Sequence, residues 1–278
     1  MYRLDLGTSI RLFDREGPVE SFRSDLKDIK REGFKSVEVS LGKVGGYEMH
    51  MQKCMQSVED GLKAVLDEGL VLNSVHMPFQ RFIYISSYDE GVRRWAIDEF
   101  CKLISICDRY SPVHYVFHSK AGTKEEGLLE LRKPALVRSF REMVAATEHN
   151  VCIENMVLSF PSTIADMLEV LREVDNGKCC VDTNHFLHDK AEDAILALGN
   201  RVTTIHVSDY DGVYEKHWLP KRGVNNWMKI IGALEQIGYH GAFTYETNRQ
   251  EHGYSFADIR TNYEQLFEEY DKFSSHSD

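Results

Sequence analysis

The chain has 278 residues, of which 42% are hydrophobic and 28% are charged, a composition typical of globular proteins. Its formal net charge of −11 disfavours binding to a phosphate backbone, so we do not expect nucleic acid as a partner. The opening segment MYRLDLGTSIRLFD lacks the apolar core of a signal peptide, and no apolar run reaches membrane-span length, so we expect a cytoplasmic protein without a membrane partner.

Short apolar runs alternate with longer amphipathic segments along the chain. The predicted strands are Leu4–Thr8, Ser36–Ser40, Val71–His76, Val113–His118, Val151–Glu154, Cys179–Asp182, Val202–His206 and Ala242–Glu246. The predicted helices lie between them, at residues 21–32, 51–68, 90–109, 125–148, 163–175, 190–199, 226–237 and 256–272. This strict alternation predicts an α/β protein in which residues 1–278 form one (β/α)8 barrel, the TIM-barrel fold.

Carboxylate and imidazole side chains recur where the predicted strands end, which is where a barrel of this type performs its chemistry. These positions, together with the loop before the last strand, supply Glu38, His76, His118, Glu154, Asp182, His185, His206, Asp209, Glu215, His217 and Glu246. Any one of them alone is more often a hydrogen-bonded structural residue than a ligand. Carboxylates that converge without a counter-charge repel one another, however, and a divalent metal removes that repulsion. The pattern therefore predicts a metal site.

Six motifs resemble, in their order and spacing, the xylose-isomerase-like TIM-barrel superfamily: HMPF, VFHSK, IENM, VDTNH, IHVSD and YET. The resemblance covers nearly the whole chain. That superfamily contains sugar-phosphate isomerases and epimerases, ketose 3-epimerases, inosose dehydratases and the endonuclease IV group. In its epimerase branch one metal is held by side chains from strands five to eight. The resemblance assigns these roles to Glu154, Asp182, His206 and Glu246.

The endonuclease IV branch has further metal ligands, and the resemblance places them at His76, His118, His185 and His217. Glu215 stands where that pattern has an aspartate.

The loop after the seventh strand supplies four candidate substrate contacts. Its LPKRG segment, residues 219–223, departs from the Pro-Gly-x-Gly that relatives often show. Lys221 and Arg222 are therefore candidates to hold an anionic substrate group. We also expect Asp209 to contact substrate and Trp218 to cover the sugar ring.

A site built from glutamate, aspartate and histidine accepts Zn, Mn, Co or Mg, and additional histidines favour Zn or Mn. In an isomerase, the metal would polarise a sugar carbonyl and stabilise the enediolate that forms on proton loss. Glu154 and Glu246 are expected to remove and return the proton, and His185 to orient a substrate oxygen or bind metal. The first hypothesis is a metal-dependent isomerase or epimerase of a sugar or sugar phosphate.

Two alternatives remain open at this point. The extra histidines favour an endonuclease IV-like AP endonuclease or phosphodiesterase with a multi-zinc site, whereas the acidic charge disfavours it. A metal-dependent dehydratase of a keto-sugar or cyclitol would use the same metal and base. One metal per chain fits an isomerase and three fit the nuclease. The sequence leaves open which sugar is bound, whether it is phosphorylated, and whether the chain is a monomer or a homo-oligomer.

Overall fold

The computed structural model describes residues 2–13, 18–42, 52–79, 84–122 and 127–275. The strands are β1 (Leu6–Arg11), β2 (Ser36–Ser40), β3 (Val71–His76), β4 (His114–Phe117), β5 (Ala121–Gly122), β6 (Asn150–Glu154), β7 (Ser159–Phe160), β8 (Lys178–Asp182), β9 (Val202–Val207) and β10 (Phe243–Tyr245). The helices are α1 (Phe22–Arg31), α2 (Gln52–Asp67), α3 (Glu90–Cys107), α4 (Leu128–Ala145), α5 (Ile164–Glu173), α6 (Ala191–Leu198), α7 (Trp227–Gln236), α8 (Arg249–His252) and α9 (Phe256–Ser274).

Eight parallel strands close into a barrel in the order β1-β10-β9-β8-β6-β4-β3-β2. The short strands β5 and β7 form a separate antiparallel pair. The predicted (β/α)8 fold is therefore confirmed. Among the described helices, none is long and apolar enough to cross a membrane.

The observed boundaries differ most from the predicted ones at the first strand. The apolar pattern placed it at Leu4–Thr8, but β1 pairs with β2 from Gly7 to Arg11. The pairing between β1 and β2 continues to Arg11, beyond the apolar run of the sequence. The sequence pattern missed β5, β7 and α8, which are too short to show a hydrophobic period. Residue 51 of the predicted second helix and residues 125–126 of the predicted fourth lie outside the described residues.

Alternation along the strands determines which side chains enter the barrel. In β2, Val37 and Val39 belong to the hydrophobic core, whereas Glu38 lies between them and faces the barrel interior. The strand register then sets the height of each interior residue. Asp182 of β8 is paired with His206 of β9, so these two polar side chains lie at the same level.

Candidate metal centre

The first group of candidate ligands consists of Glu154, Asp182, His206 and Glu246, at the ends of β6, β8, β9 and β10. Each offers one ligand atom, and these four atoms lie within 4.8 Å of one another. The His206 Nδ1 atom is 3.2 Å from both Glu154 Oε1 and Glu246 Oε2, and 3.9 Å from Asp182 Oδ2. The structure therefore brings together the four residues for which the sequence predicted a shared metal. We call them the central group.

The second group contains His76, His118 and Glu154, which also meet within 4.8 Å. The Nε2 atoms of His76 and His118 lie 3.2 and 3.0 Å from Glu154 Oε2. Because the other oxygen of Glu154 faces His206, this carboxylate bridges the second group and the central group. Phe79 stacks on the His118 ring, with centroids 5.0 Å apart, and thereby lies against the histidine pair.

The third group, which we call the loop group, contains His185, Glu215 and His217. Glu215 Oε1 is 2.6 Å from His217 Nε2 and 3.5 Å from His185 Nε2. Glutamate therefore reaches both imidazoles from the position where the resembling pattern has aspartate. His185 Nδ1 lies 3.4 Å from Asp182 Oδ2, so the loop group adjoins the central group.

Backbone carbonyl groups also contact three of these imidazoles. The Nδ1 atoms of three imidazoles lie 2.9–3.0 Å from backbone carbonyl oxygens: His76 at Met77, His185 at Asn155 and His217 at Glu246. A carbonyl accepts only from a protonated nitrogen, so Nδ1 of each ring carries a hydrogen and Nε2 is the nitrogen that a metal would bind. Histidines that bind metals are held in this way.

Ionisation in the centre reflects competition between burial and neighbouring charge. Burial disfavours the charged form of Glu154, but His206 and His118 outweigh it and hold the pKa of this carboxyl well below its usual value. For Asp182 burial prevails over His185 and raises the pKa to about 7. The positive charge near Asp182 is therefore too small to offset the cost of burying its carboxylate.

Three buried atoms in these groups have no hydrogen-bond partner: Asp182 Oδ2, His185 Nε2 and Glu246 Oε2. A buried polar atom without a partner is costly, and such atoms are rare in folded proteins. Here each of them belongs to a group whose donors are those of Zn²⁺ or Mn²⁺ sites. The residues therefore fit a divalent metal.

Sequence reasoning missed two asparagines that hold these ligands in place. Asn155 accepts a hydrogen bond from the backbone N–H of Asp182 at 2.8 Å and donates one to its carbonyl at 3.0 Å. Asn184 Oδ1 accepts from the backbone N–H groups of Lys216 and His217, which ties the loop group to the end of β8. The sequence feature that could have indicated them is their position next to candidate ligands: Asn155 follows Glu154 in IENM, and Asn184 precedes His185 in VDTNH.

Asp209, a predicted substrate contact, has an architectural role. It is fully buried, and its oxygens accept hydrogen bonds from the backbone N–H groups of Tyr210, Lys221 and Asn225 and from the indole N–H of Trp227. These contacts shape the loop from β9 to α7 and leave no exposed oxygen for a substrate.

The other three predicted substrate contacts lie in the same loop. The backbone of Trp218 pairs with that of Asp209. Lys221 forms an ion pair with Glu269 of α9, and the Arg222 guanidinium lies 5.3 Å from the centre of the Tyr254 ring. Lys221 thus contacts α9 and Arg222 contacts the segment between α8 and α9, and their role toward an anionic substrate stays a prediction.

The fold and the site define a (β/α)8 barrel whose strand ends carry joined carboxylate–imidazole groups. The chain belongs to the xylose isomerase-like TIM barrel family, which matches residues 26–269. The resemblance seen in the motifs is therefore confirmed. No curated protein matches the chain significantly in sequence.

Solved structures with the same fold include several sugar epimerases. An L-ribulose 3-epimerase is 15% identical, covers 99% of this chain and 98% of its own, and has a TM-score of 0.76. A D-tagatose 3-epimerase-like protein is 16% identical over 99% of both chains, with a TM-score of 0.74. The D-allulose 3-epimerase of a Methylomonas species is 14% identical over 96% of this chain and 98% of its own, with a TM-score of 0.74. At these identities the likeness establishes the shared fold.

Proposed function

We propose that the protein is a metal-dependent isomerase or epimerase of a sugar or sugar phosphate and that it acts in the cytoplasm. The central group would hold the metal, with zinc or manganese favoured by its donors. The observation that carries the proposal is the placement of Glu154 and Glu246. One carboxylate oxygen of each residue lies 3.2 Å from His206 Nδ1. Two glutamates beside one ligand position suit proton transfer at a carbon held there. The names of the three structural neighbours described above, two sugar 3-epimerases and one epimerase-like protein, support the same class of reaction.

A metal bound in the central group would supply a Lewis acid that polarises the sugar carbonyl. The two glutamates would move the proton between the carbon beside that carbonyl and their own oxygens. Burial opposes the charged form of Glu246, but His206 and His217 hold its pKa well below the usual value, so the carboxylate is in the form that accepts a proton. The Glu246 side chain is 26% exposed and that of Glu154 is 1% exposed, so Glu246 is the more accessible to a substrate.

A second candidate function, phosphodiester hydrolysis, is favoured by the two further ligand groups around His76 and His217. Three metals would fit the three groups and would suit a reaction at phosphorus. The net charge of −11 disfavours a nucleic-acid duplex as the substrate of such an enzyme. Metal count and substrate class therefore separate the two candidates.

The test combines metal analysis with an exchange assay. The purified chain is loaded with Zn²⁺ or Mn²⁺, and metal per chain is counted by mass spectrometry. A panel of ketoses and ketose phosphates is then incubated with it in D₂O, and NMR measures deuterium at the carbon beside the carbonyl. The same assay detects a dehydratase through loss of water from the substrate. Glu246→Gln should abolish exchange, while Glu251→Gln, an exposed change on α8, is the matched control.

Carbon-bound deuterium that depends on metal and on Glu246 would support the isomerase. Three metals per chain, cleavage of a phosphodiester or abasic duplex, and no exchange with any sugar would overturn it in favour of the hydrolase.

A further inference from the structure

Glu38 is a buried carboxylate outside the three candidate ligand groups that contacts one of their members. It lies on β2, is fully buried, and its Oε2 atom is 3.0 Å from Nε2 of His206 on β9. His206 Nδ1, on the other side of the ring, faces the carboxylates of the central group. The imidazole therefore stands between Glu38 and the proposed metal position.

Neighbouring strands hold Glu38 from both sides. Ser9 of β1 and Ser74 of β3 are its register partners in the sheet. The Ser9 hydroxyl donates to Glu38 Oε1 at 2.9 Å, and the Ser74 hydroxyl donates to Oε2 at 2.7 Å. Both carboxylate oxygens are thus fixed by side chains at the same level of the barrel, and the remaining acceptor capacity of Oε2 is directed at His206.

The partner of His206 differs in kind from those of the other histidines. His76, His185 and His217 donate to neutral backbone carbonyls, whereas His206 donates to a carboxylate. A charged acceptor makes a stronger hydrogen bond and increases the electron density of the imidazole. His206 should therefore be the most basic and most rigidly oriented imidazole ligand of the centre.

We propose that Glu38 is a positioning residue of the metal centre. With a metal bound in the central group, it would keep the hydrogen of His206 on Nε2 and so leave Nδ1 to bind the metal. Glu38 acts through His206 and does not itself belong to the ligand set. The proposal rests on the central group being a metal site, as proposed above. Loss of such a partner typically weakens metal binding by about 10- to 100-fold.

The test measures metal affinity rather than turnover. The zinc dissociation constant is determined by competition with a chromogenic chelator for wild type, Glu38→Gln and Ser74→Ala. Glu38→Gln keeps the size of the side chain and removes its charge, so we expect zinc to bind about 10- to 100-fold more weakly. Ser74→Ala leaves Glu38 in place with one hydrogen bond fewer, so we expect a smaller loss of affinity.

The control separates a positioning role from a purely structural one. Ser139→Ala removes a buried hydroxyl of α4 that hydrogen-bonds Arg93 and the carbonyl oxygen of Ile85 rather than Glu38 or its partners. Urea unfolding of each metal-free variant measures the loss of stability. The proposal holds if Glu38→Gln weakens zinc binding well beyond the control at a comparable stability loss. It is overturned if zinc affinity is unchanged, or if it falls equally in the control. A wild-type chain that binds no metal would refute both this proposal and the proposed function.

Discussion

Replacement of Asp182 by asparagine should stabilise the metal-free protein and abolish metal binding by the central group. Asp182 is fully buried, and burial raises its pKa from 3.8 to about 7. The charged form is therefore disfavoured in the folded chain by about 4 kcal/mol. Asparagine removes this cost and can still accept the 2.6 Å hydrogen bond from the backbone N–H of Asn184.

The sign of the pH dependence follows from the direction of the shift. Below about pH 3 the carboxyl is protonated in both folded and unfolded chains, so wild type and Asp182→Asn should be similarly stable. As the pH rises toward 7, the unfolded chain ionises first and wild type loses stability. At pH 8 the variant should be more stable by about 4 kcal/mol, equivalent to a melting temperature about 8 °C higher for a chain of this length.

Thermal unfolding followed by circular dichroism, in chelator and in zinc, measures both effects. Zinc at about 100 times its dissociation constant should stabilise wild type by about 2.7 kcal/mol and leave the variant unchanged. A variant less stable than wild type at pH 8 in chelator would refute the argument that Asp182 lacks compensating charge. An equal zinc stabilisation of both proteins would refute its role as a ligand.

Three further changes test separate parts of the molecule. Glu246→Gln should lower turnover by about 100-fold or more in the D₂O exchange assay, because it removes a proton acceptor. Arg93→Met should lower the free energy of unfolding by about 2 kcal/mol in urea, because the hydrogen bonds of the buried guanidinium to Glu90 and Ser139 are lost. Its zinc content should stay that of wild type. Gly223→Ala should lower the free energy of unfolding in urea by about 1–3 kcal/mol, because the new Cβ would lie 2.0 Å from the carbonyl oxygen of Tyr210.

The sequence predicted the strand-end ligands because barrel geometry collects them at one level. A carboxylate at the end of a parallel strand must lie near those of its neighbours, whatever the detailed packing. Asp182 and His206 illustrate this, since adjacent strands in register place them side by side. Knowledge of the strand ends was enough to predict that these side chains converge, and the resemblance to the superfamily selected the four residues of the central group from among them.

Contacts across the barrel could not be predicted in the same way. Glu38 and His206 are 168 positions apart, and their hydrogen bond depends on the closure of the barrel and on both rotamers. Asp209 shows the opposite error: a polar residue two positions past β9 was expected at the substrate, but it turned inward to satisfy four N–H donors. The sequence does not distinguish a carboxylate that supports a histidine, as Glu38 does, from one that holds a loop, as Asp209 does, because both roles require the same type of side chain.

Glu215 lies on a loop, whereas the residues of the central group lie on or directly after strands. Ligands of the central group are attached to strands or directly follow them, so a longer side chain there would displace the carboxylate from a fixed position. Glu215 instead lies in a loop whose next two residues are hydrogen-bonded to Asn184. In this loop the Glu215 carboxylate reaches both His185 and His217. The geometry of the loop group therefore depends on the conformation of the loop, whereas that of the central group is set by the strands.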